Sequence, residues 1–359
     1  MDRRAVLGWL SSIGALYGPW AGVLGAPGLT SAIGTRLDLS YDAPRVIEEI
    51  SPATQILRAR LNGLRQFIRI DWPEVYNARD APWVVFAHGR VGPIDAPKWR
   101  FNLGPSSYYG DLIEHFRRSG YVVVFPGYRG HGTVGLEPAE GIEYLQAFDN
   151  DTHLVPIFYA LDLIAATLAL RDRFSAAPHG FAHSQGADAL LISLTLAHDI
   201  PGAEAYRPQA ASLWSGTIAP RHEQFRFFDL PRRAPTVSGS DYLALAQQAL
   251  ERFDRHPWTR ADAAQWVGDR EPYQQLSAIQ TRLQIHYSDQ DPYSPVDWNR
   301  SLFEKLQPKR GHAIHFYPDN THEFELARTH KPTSTPGRER MIQNTIDFFR
   351  ERSPHAESR

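Results

Sequence analysis

The sequence contains no cysteine, which excludes disulfides, thiolate nucleophiles, zinc ribbons and cysteine-ligated iron–sulfur clusters together. An excess of one charge is missing too: 38 Lys and Arg stand against 40 Asp and Glu, a net charge of −2 with no long run of either sign. The basic footprint of a nucleic-acid binder is therefore absent, and no such partner is expected. Internal repeats and low-complexity tracts are absent as well. The His-Glu-x-x-His spacing of zinc hydrolases does not occur, so neither metal nor other cofactor is expected. What remains for chemistry is hydroxyl, imidazole and carboxylate. Hydrophobic residues make up 42% and charged residues 22% of 359, with 18 Phe, 15 Tyr and 9 Trp; this globular balance excludes disorder over most of the chain.

The first 32 residues differ in kind from the rest. Met1-Asp2-Arg3-Arg4-Ala5-Val6-Leu7-Gly8 opens a Gly-, Ala- and Leu-rich stretch without formal charge as far as Ser31-Ala32. That layout is an export signal, and the paired Arg3-Arg4 ahead of a weakly apolar, Gly-interrupted segment resembles the twin-arginine type. Cleavage is expected after Ala26 or Ala32, leaving a periplasmic or extracellular protein with no membrane partner. The alternative is an uncleaved anchor, since Ala5 to Ala26 is long enough to span a bilayer; its glycines and proline count against that. Residues 352–359 form a polar tail.

Between these ends, strands alternate with helices. Gln55–Leu61 and Gln66–Asp71 flank an Asn62-Gly63 hairpin signal. Trp83–Ala87 and Tyr121–Phe125 are continuous apolar runs suited to strands buried on both faces. His179–His183, Ala211–Trp214, Arg282–Tyr287 and Ala313–Tyr317 complete eight strands. Helices are expected around Tyr109–Phe116, Leu154–Leu168, Gly186–His198 and Met341–Arg350. The pattern predicts an α/β domain over 33–351 with a mostly parallel eight-stranded sheet and helices on both faces. From Thr217 to Gln275 the alternation stops, and a cap insertion over a pocket is the expected use of so long a connection.

Ala182-His183-Ser184-Gln185-Gly186 lies where a short strand meets an apolar helix, the context of a G-x-S-x-G nucleophile elbow. Small neighbours are needed because the turn is tight, and the helix N-terminus favours developing negative charge at Ser184. His88-Gly89-Arg90 ends the first long parallel strand, where a turn can aim a backbone N–H at the same point as that of Gln185; Arg90 is the first candidate donor and Gly89 the second, with His88 holding the loop. A serine needs a base and an orienting acid. Ser288-Asp289-Gln290-Asp291-Pro292 and Pro318-Asp319-Asn320-Thr321-His322 follow the last two strands, in the order acid then base. Asp291 is preferred to Asp289 because it has room to reach past the strand end and precedes a rigid proline turn. His322 is preferred for its loop position, while His312 and His315 belong to the neighbouring strand as structural residues.

With these motifs the sequence resembles the α/β-hydrolase superfamily from about residue 52 to 351, on His88-Gly89, Tyr128-Arg129-Gly130-His131-Gly132, Ala182 to Gly186, Ser288 to Pro292 and His322. Phe125-Pro126-Gly127-Tyr128-Arg129-Gly130 and the stretch from Glu271-Pro272-Tyr273 to Asp291-Pro292 are similar to the catalytic domain of prolyl oligopeptidase and to dienelactone-hydrolase relatives. The expected activity is hydrolysis of a small carboxylic ester through an acyl-enzyme, with Ser184, His322 and Asp291 as triad and Gln185 and Arg90 as oxyanion donors. Two alternatives stand beside it. One is an aminopeptidase-type amidase acting on a short peptide, which would need a carboxylate for the free amine, with Glu114, Asp149 and Asp151 as candidates. The other is a non-catalytic binding protein of hydrolase fold.

Overall fold

A computed structural model describes residues 39–74, 80–98, 109–149, 151–198, 200–229, 272–306, 311–324 and 336–351. The expected export segment, most of the expected 217–275 insertion and the polar tail fall outside these residues. Strands are β1 (Arg45–Ser51), β2 (Thr54–Leu61), β3 (Leu64–Asp71), β4 (Trp83–Ala87), β5 (Val122–Pro126), β6 (Thr133–Val134), β7 (Glu137–Pro138), β8 (His179–His183), β9 (Ala210–Trp214), β10 (Arg282–Ser288) and β11 (Ala313–Tyr317). The principal helices are α1 (Gly110–Arg118), α2 (Ile142–Phe148), α3 (Val155–Leu170), α4 (Gln185–Leu196), α5 (Val296–Lys305) and α6 (Pro336–Arg350).

Nine strands, ordered β1-β2-β3-β5-β4-β8-β9-β10-β11, make one sheet; β6 and β7 pair as a separate ribbon. The first three strands run antiparallel to their neighbours and the rest are parallel. The sheet thus has one strand more than the eight that the sequence predicts. The addition is β1, whose register with β2 slips at two places and whose Val46 and Ile50 are 41% and 40% exposed. A bulged, half-solvated edge strand shows no clean alternation to read.

Each parallel strand buries both faces, as its unbroken apolar run demands. Along β4, Trp83, Val85 and Ala87 point into a core layer built with α3 and α4. Val84 and Phe86 point into the opposite layer with Leu112, Ile113 and Phe116 of α1 and Met341, Ile342 and Ile346 of α6. Helix α3 is buried on almost every side, yet carries Asp162 in its middle. That carboxylate is fully buried and accepts from the Arg129 backbone N–H (2.9 Å), Arg129 Nε (3.0 Å) and Nη2 (2.7 Å), and Gln66 Nε2 (3.1 Å). The Tyr128-Arg129-Gly130-His131-Gly132 motif, in the loop after β5, is thereby tied to α3. Among the described residues no helix is long and apolar enough to cross a membrane.

Candidate active site

Four loops converge at the carboxyl edge of the parallel strands. The first is the turn from β8 into α4. Ser184 has φ 56° and ψ −127°, a strained conformation for a non-glycine residue. Its N–H donates to the Trp214 carbonyl of the adjacent strand (2.9 Å), and its own carbonyl accepts from Ala187 (3.0 Å). The turn leaves no room two residues on either side. A Cβ at Gly186 would collide with the carbonyl oxygens of Ala87 and His88, and Ala182 is wholly buried in register with Ala87 and Leu213. Glycine at 186 is therefore a steric requirement of the approach between α4 and β4.

The second loop is His88-Gly89-Arg90. A Cβ on Gly89 would meet the Ser184 Cβ and His183 Nδ1 at 3.2 Å each, so this loop lies directly against the serine turn. The Gly89 N–H is already committed, donating to Tyr109 Oη (3.0 Å). Among the described residues the amides of Arg90 and Gln185 have no hydrogen-bond acceptor. The His88 ring packs tilted against Tyr128 with centroids 4.0 Å apart, while its Nδ1 lies 2.8 Å from the Gly89 carbonyl. Burial, followed by the nearby His131, holds its pKa well below the usual histidine range. It braces the loop from inside the protein.

The other two loops carry Asp291 and His322. The Asp291 side chain is fully buried and Oδ1 accepts the N–H groups of Tyr293 (2.8 Å) and Ser294 (3.0 Å). His322 Nδ1 lies 2.9 and 2.8 Å from the two carboxylate oxygens. With the Nδ1–H donated to Asp291, neutral His322 has its lone pair on Nε2. The Tyr293 ring stands edge-on to the His322 ring at 5.1 Å. Asp289 takes another path and accepts the backbone N–H of Asp319 (2.7 Å) in an exposed turn. The structure therefore brings Asp291, and not Asp289, to His322. His312 Nδ1 accepts from the Leu283 N–H and His315 Nε2 lies 2.9 Å from Gln284 Nε2, both away from this cluster.

The remaining carboxylates divide as follows. Glu114 pairs with Arg117 and Arg118 on the surface of α1. Asp149 lies near the site, where it pairs with the Arg90 guanidinium. Asp151 is buried and its carbonyl caps the start of α3 through Leu154. His183, His322 and Glu323 hold atoms able to bind metal within 4.8 Å of one another. Both Nδ1 atoms of that group are already engaged, one with Tyr109 and one with Asp291.

Sequence reasoning misses the polar residues that fasten the surroundings. Gln185 Nε2 donates to the Thr152 carbonyl (3.2 Å). Asp229, fully buried at the start of the insertion, accepts the Thr152 N–H (2.8 Å), the His153 N–H (3.1 Å) and His153 Nδ1 (2.5 Å). Arg221 pairs with the buried Asp188 of α4. The beginning of the insertion is thus anchored one hydrogen bond from the residue that follows Ser184. Its signal in sequence is slight: charged residues in an irregular segment normally mean solvent.

No protein-family model and no curated protein sequence matches this chain. Solved structures do resemble it. Acetyl xylan esterase 1 from Thermoanaerobacterium superposes with a TM-score of 0.52 at 13% identity, over 91% of this chain and 95% of that one. An acetyl xylan esterase from Paenibacillus gives 0.51 at 14% identity, over 89% and 92%. A puromycin-hydrolyzing peptidase from Mycobacterium tuberculosis gives 0.50 at 17% identity; 85% of this chain matches 38% of that longer one. The sheet order, the elbow turn and these likenesses define an α/β hydrolase fold.

Proposed function

We propose that this protein is a serine hydrolase that cleaves a carboxylic ester through an acyl-enzyme. The observation that carries the reading is the buried Asp291–His322 pair beside a strained serine turn. In this reading Ser184 Oγ attacks the carbonyl carbon as its proton passes to His322 Nε2, and Asp291 holds the imidazole in the tautomer that can accept it. The tetrahedral oxyanion takes hydrogen bonds from the Gln185 and Arg90 amides, which have no acceptor among the described residues. Collapse breaks the bond to the alcohol, which leaves with the proton from His322. Water then repeats the sequence on the acyl-serine and releases the acid.

Ester is favoured over aminoacyl substrate by the carboxylates. Asp149 is paired with the Arg90 guanidinium and Glu114 with Arg117 and Arg118, while Asp151 is buried at the start of α3. A free amine would need an acid not so matched. The 217–275 insertion is read as a cap lining the acyl or alcohol pocket, supported by the anchoring of its first residues at Asp229 and Arg221.

The test compares p-nitrophenyl esters of increasing acyl length with aminoacyl anilides. Ester turnover exceeding anilide turnover, abolished by Ser184→Ala, is the expected result. Anilides turned over faster than every ester would make the amidase reading correct.

A further inference from the structure

Tyr109 precedes α1 and is buried, with its ring packed against Phe86 at 4.7 Å and Phe125 at 5.9 Å. An aromatic body in such surroundings is ordinary core, and phenylalanine would fill it equally well. The hydroxyl is the exception. It leaves the apolar cluster, takes the Gly89 N–H at 3.0 Å and lies 2.9 Å from His183 Nδ1.

Two hydrogen bonds meet at this oxygen. An amide N–H can only donate, so the Tyr109 oxygen accepts from Gly89, and a second hydrogen bond joins the phenol to His183 Nδ1, its direction following the imidazole tautomer. Burial first, and next the charges of His322 and Arg338, hold the His183 pKa well below the usual range, which keeps the ring neutral. The His183 ring also lies 4.8 Å from the His322 ring and 3.9 Å from Trp214. One chain of contacts therefore joins the loop after β4, the serine turn and the loop of the base.

We propose that Tyr109 and His183 are positioning residues that set the oxyanion hole, by fixing the Gly89 peptide so that the next amide, Arg90, faces the carbonyl oxygen of an ester held at Ser184. This rests on the ester-hydrolase reading given above. The physical reason is the narrow range of such donors: an N–H stabilises an oxyanion only at about 2.7 to 3.1 Å from it. Without Tyr109 Oη, the buried Gly89 N–H has lost its acceptor and turns to find another, carrying the Arg90 amide with it.

The experiment uses the full-length protein and a matched pair of substrates, an aryl ester and its thionoester, whose thiocarbonyl sulfur is a poor guest for an oxyanion hole. Tyr109→Phe is expected to lower kcat on the ester by about 10- to 100-fold with KM changed by less than about threefold, and to lower the ester-to-thionoester rate ratio by about tenfold. His183→Asn, whose side-chain amide can replace Nδ1 as hydrogen-bond partner, is expected within about threefold of wild type in kcat, whereas His183→Leu falls with Tyr109→Phe. The proposal is overturned by a Tyr109→Phe enzyme with unchanged kcat, by equal losses on ester and thionoester, or by Asn and Leu variants at 183 that cannot be told apart. The 183 pair decides the matter should Tyr109→Phe not fold. Ser184→Ala separates the two levels: retained turnover overturns the hydrolase reading and this inference together, while loss there with indifference at Tyr109 overturns this inference alone.

Discussion

At the scale of single residues the site rests on two requirements, one for space and one for proton placement. Space is legible in the sequence, because Ala182 and Gly186 around Ser184 can be read as small without coordinates, and the structure supplies the reason at Gly186 in two carbonyl oxygens that a Cβ would strike. Proton placement is legible only in part. Asp291 and Asp289 sit two residues apart at one strand end, and what separates them is the turn that lets the Tyr293 and Ser294 amides clamp Asp291 Oδ1. Asp291→Asn is expected to cut kcat by roughly 10⁴-fold, because the amide holds the wrong His322 tautomer. Asp289→Asn is expected within about threefold of wild type, since its contact among the described residues is with the Asp319 amide and not with His322. Steady-state rates on one ester decide between them, and a larger loss at 289 would reverse the assignment. Tyr109 gives no sign in the sequence: its helical spacing with Leu112 and Phe116 reads as core, and nothing in a sequence shows where a buried hydroxyl points.

At the scale of elements the parallel strands are the most legible part, since a five-residue run such as Val122–Pro126 buried on both faces has no polar residue to obscure it. β1 and α5 give no such signal. β1 is a bulged edge, and α5 buries only Asn299 and Leu302 along ten residues, too little to leave an apolar stripe. Long-range polar ties between elements are equally silent in sequence. The Arg129–Asp162 pair joins the loop after β5 to α3 with no exposure on either side chain. Asp162→Asn leaves the guanidinium buried without its counter-charge, and a loss of roughly 3 to 5 kcal/mol in urea unfolding is expected. A loss below about 1 kcal/mol would mean that solvent reaches the arginine, contrary to its burial.

At the scale of the whole molecule, stability without disulfides depends on two apolar layers and on histidines kept neutral between them. Burial lowers the pKa of His131 and of His179 to about 4 from 6.5, and lowers His88, His183 and His286 as well. The folded state therefore leaves these rings unprotonated between pH 6.5 and 4, while the unfolded chain takes up protons. Stability is full above pH 6.5 and falls as the pH drops through that window. His131 and His179 alone account for roughly 3 kcal/mol each by about pH 4, comparable together with the whole stability of a typical domain. Urea midpoints measured from about pH 7.5 to 4 should fall steeply below 6.5, and a flat profile would contradict the neutral burial of these rings.

The central claim is that this fold delivers Ser184 as a nucleophile activated by His322. Mass spectrometry of the full-length protein after reaction with a fluorophosphonate tests it most directly. The expected result is one adduct, on Ser184, absent in Ser184→Ala and formed far more slowly in His322→Ala. An adduct on another residue, or labelling of Ser184 that proceeds equally well without His322, would contradict it.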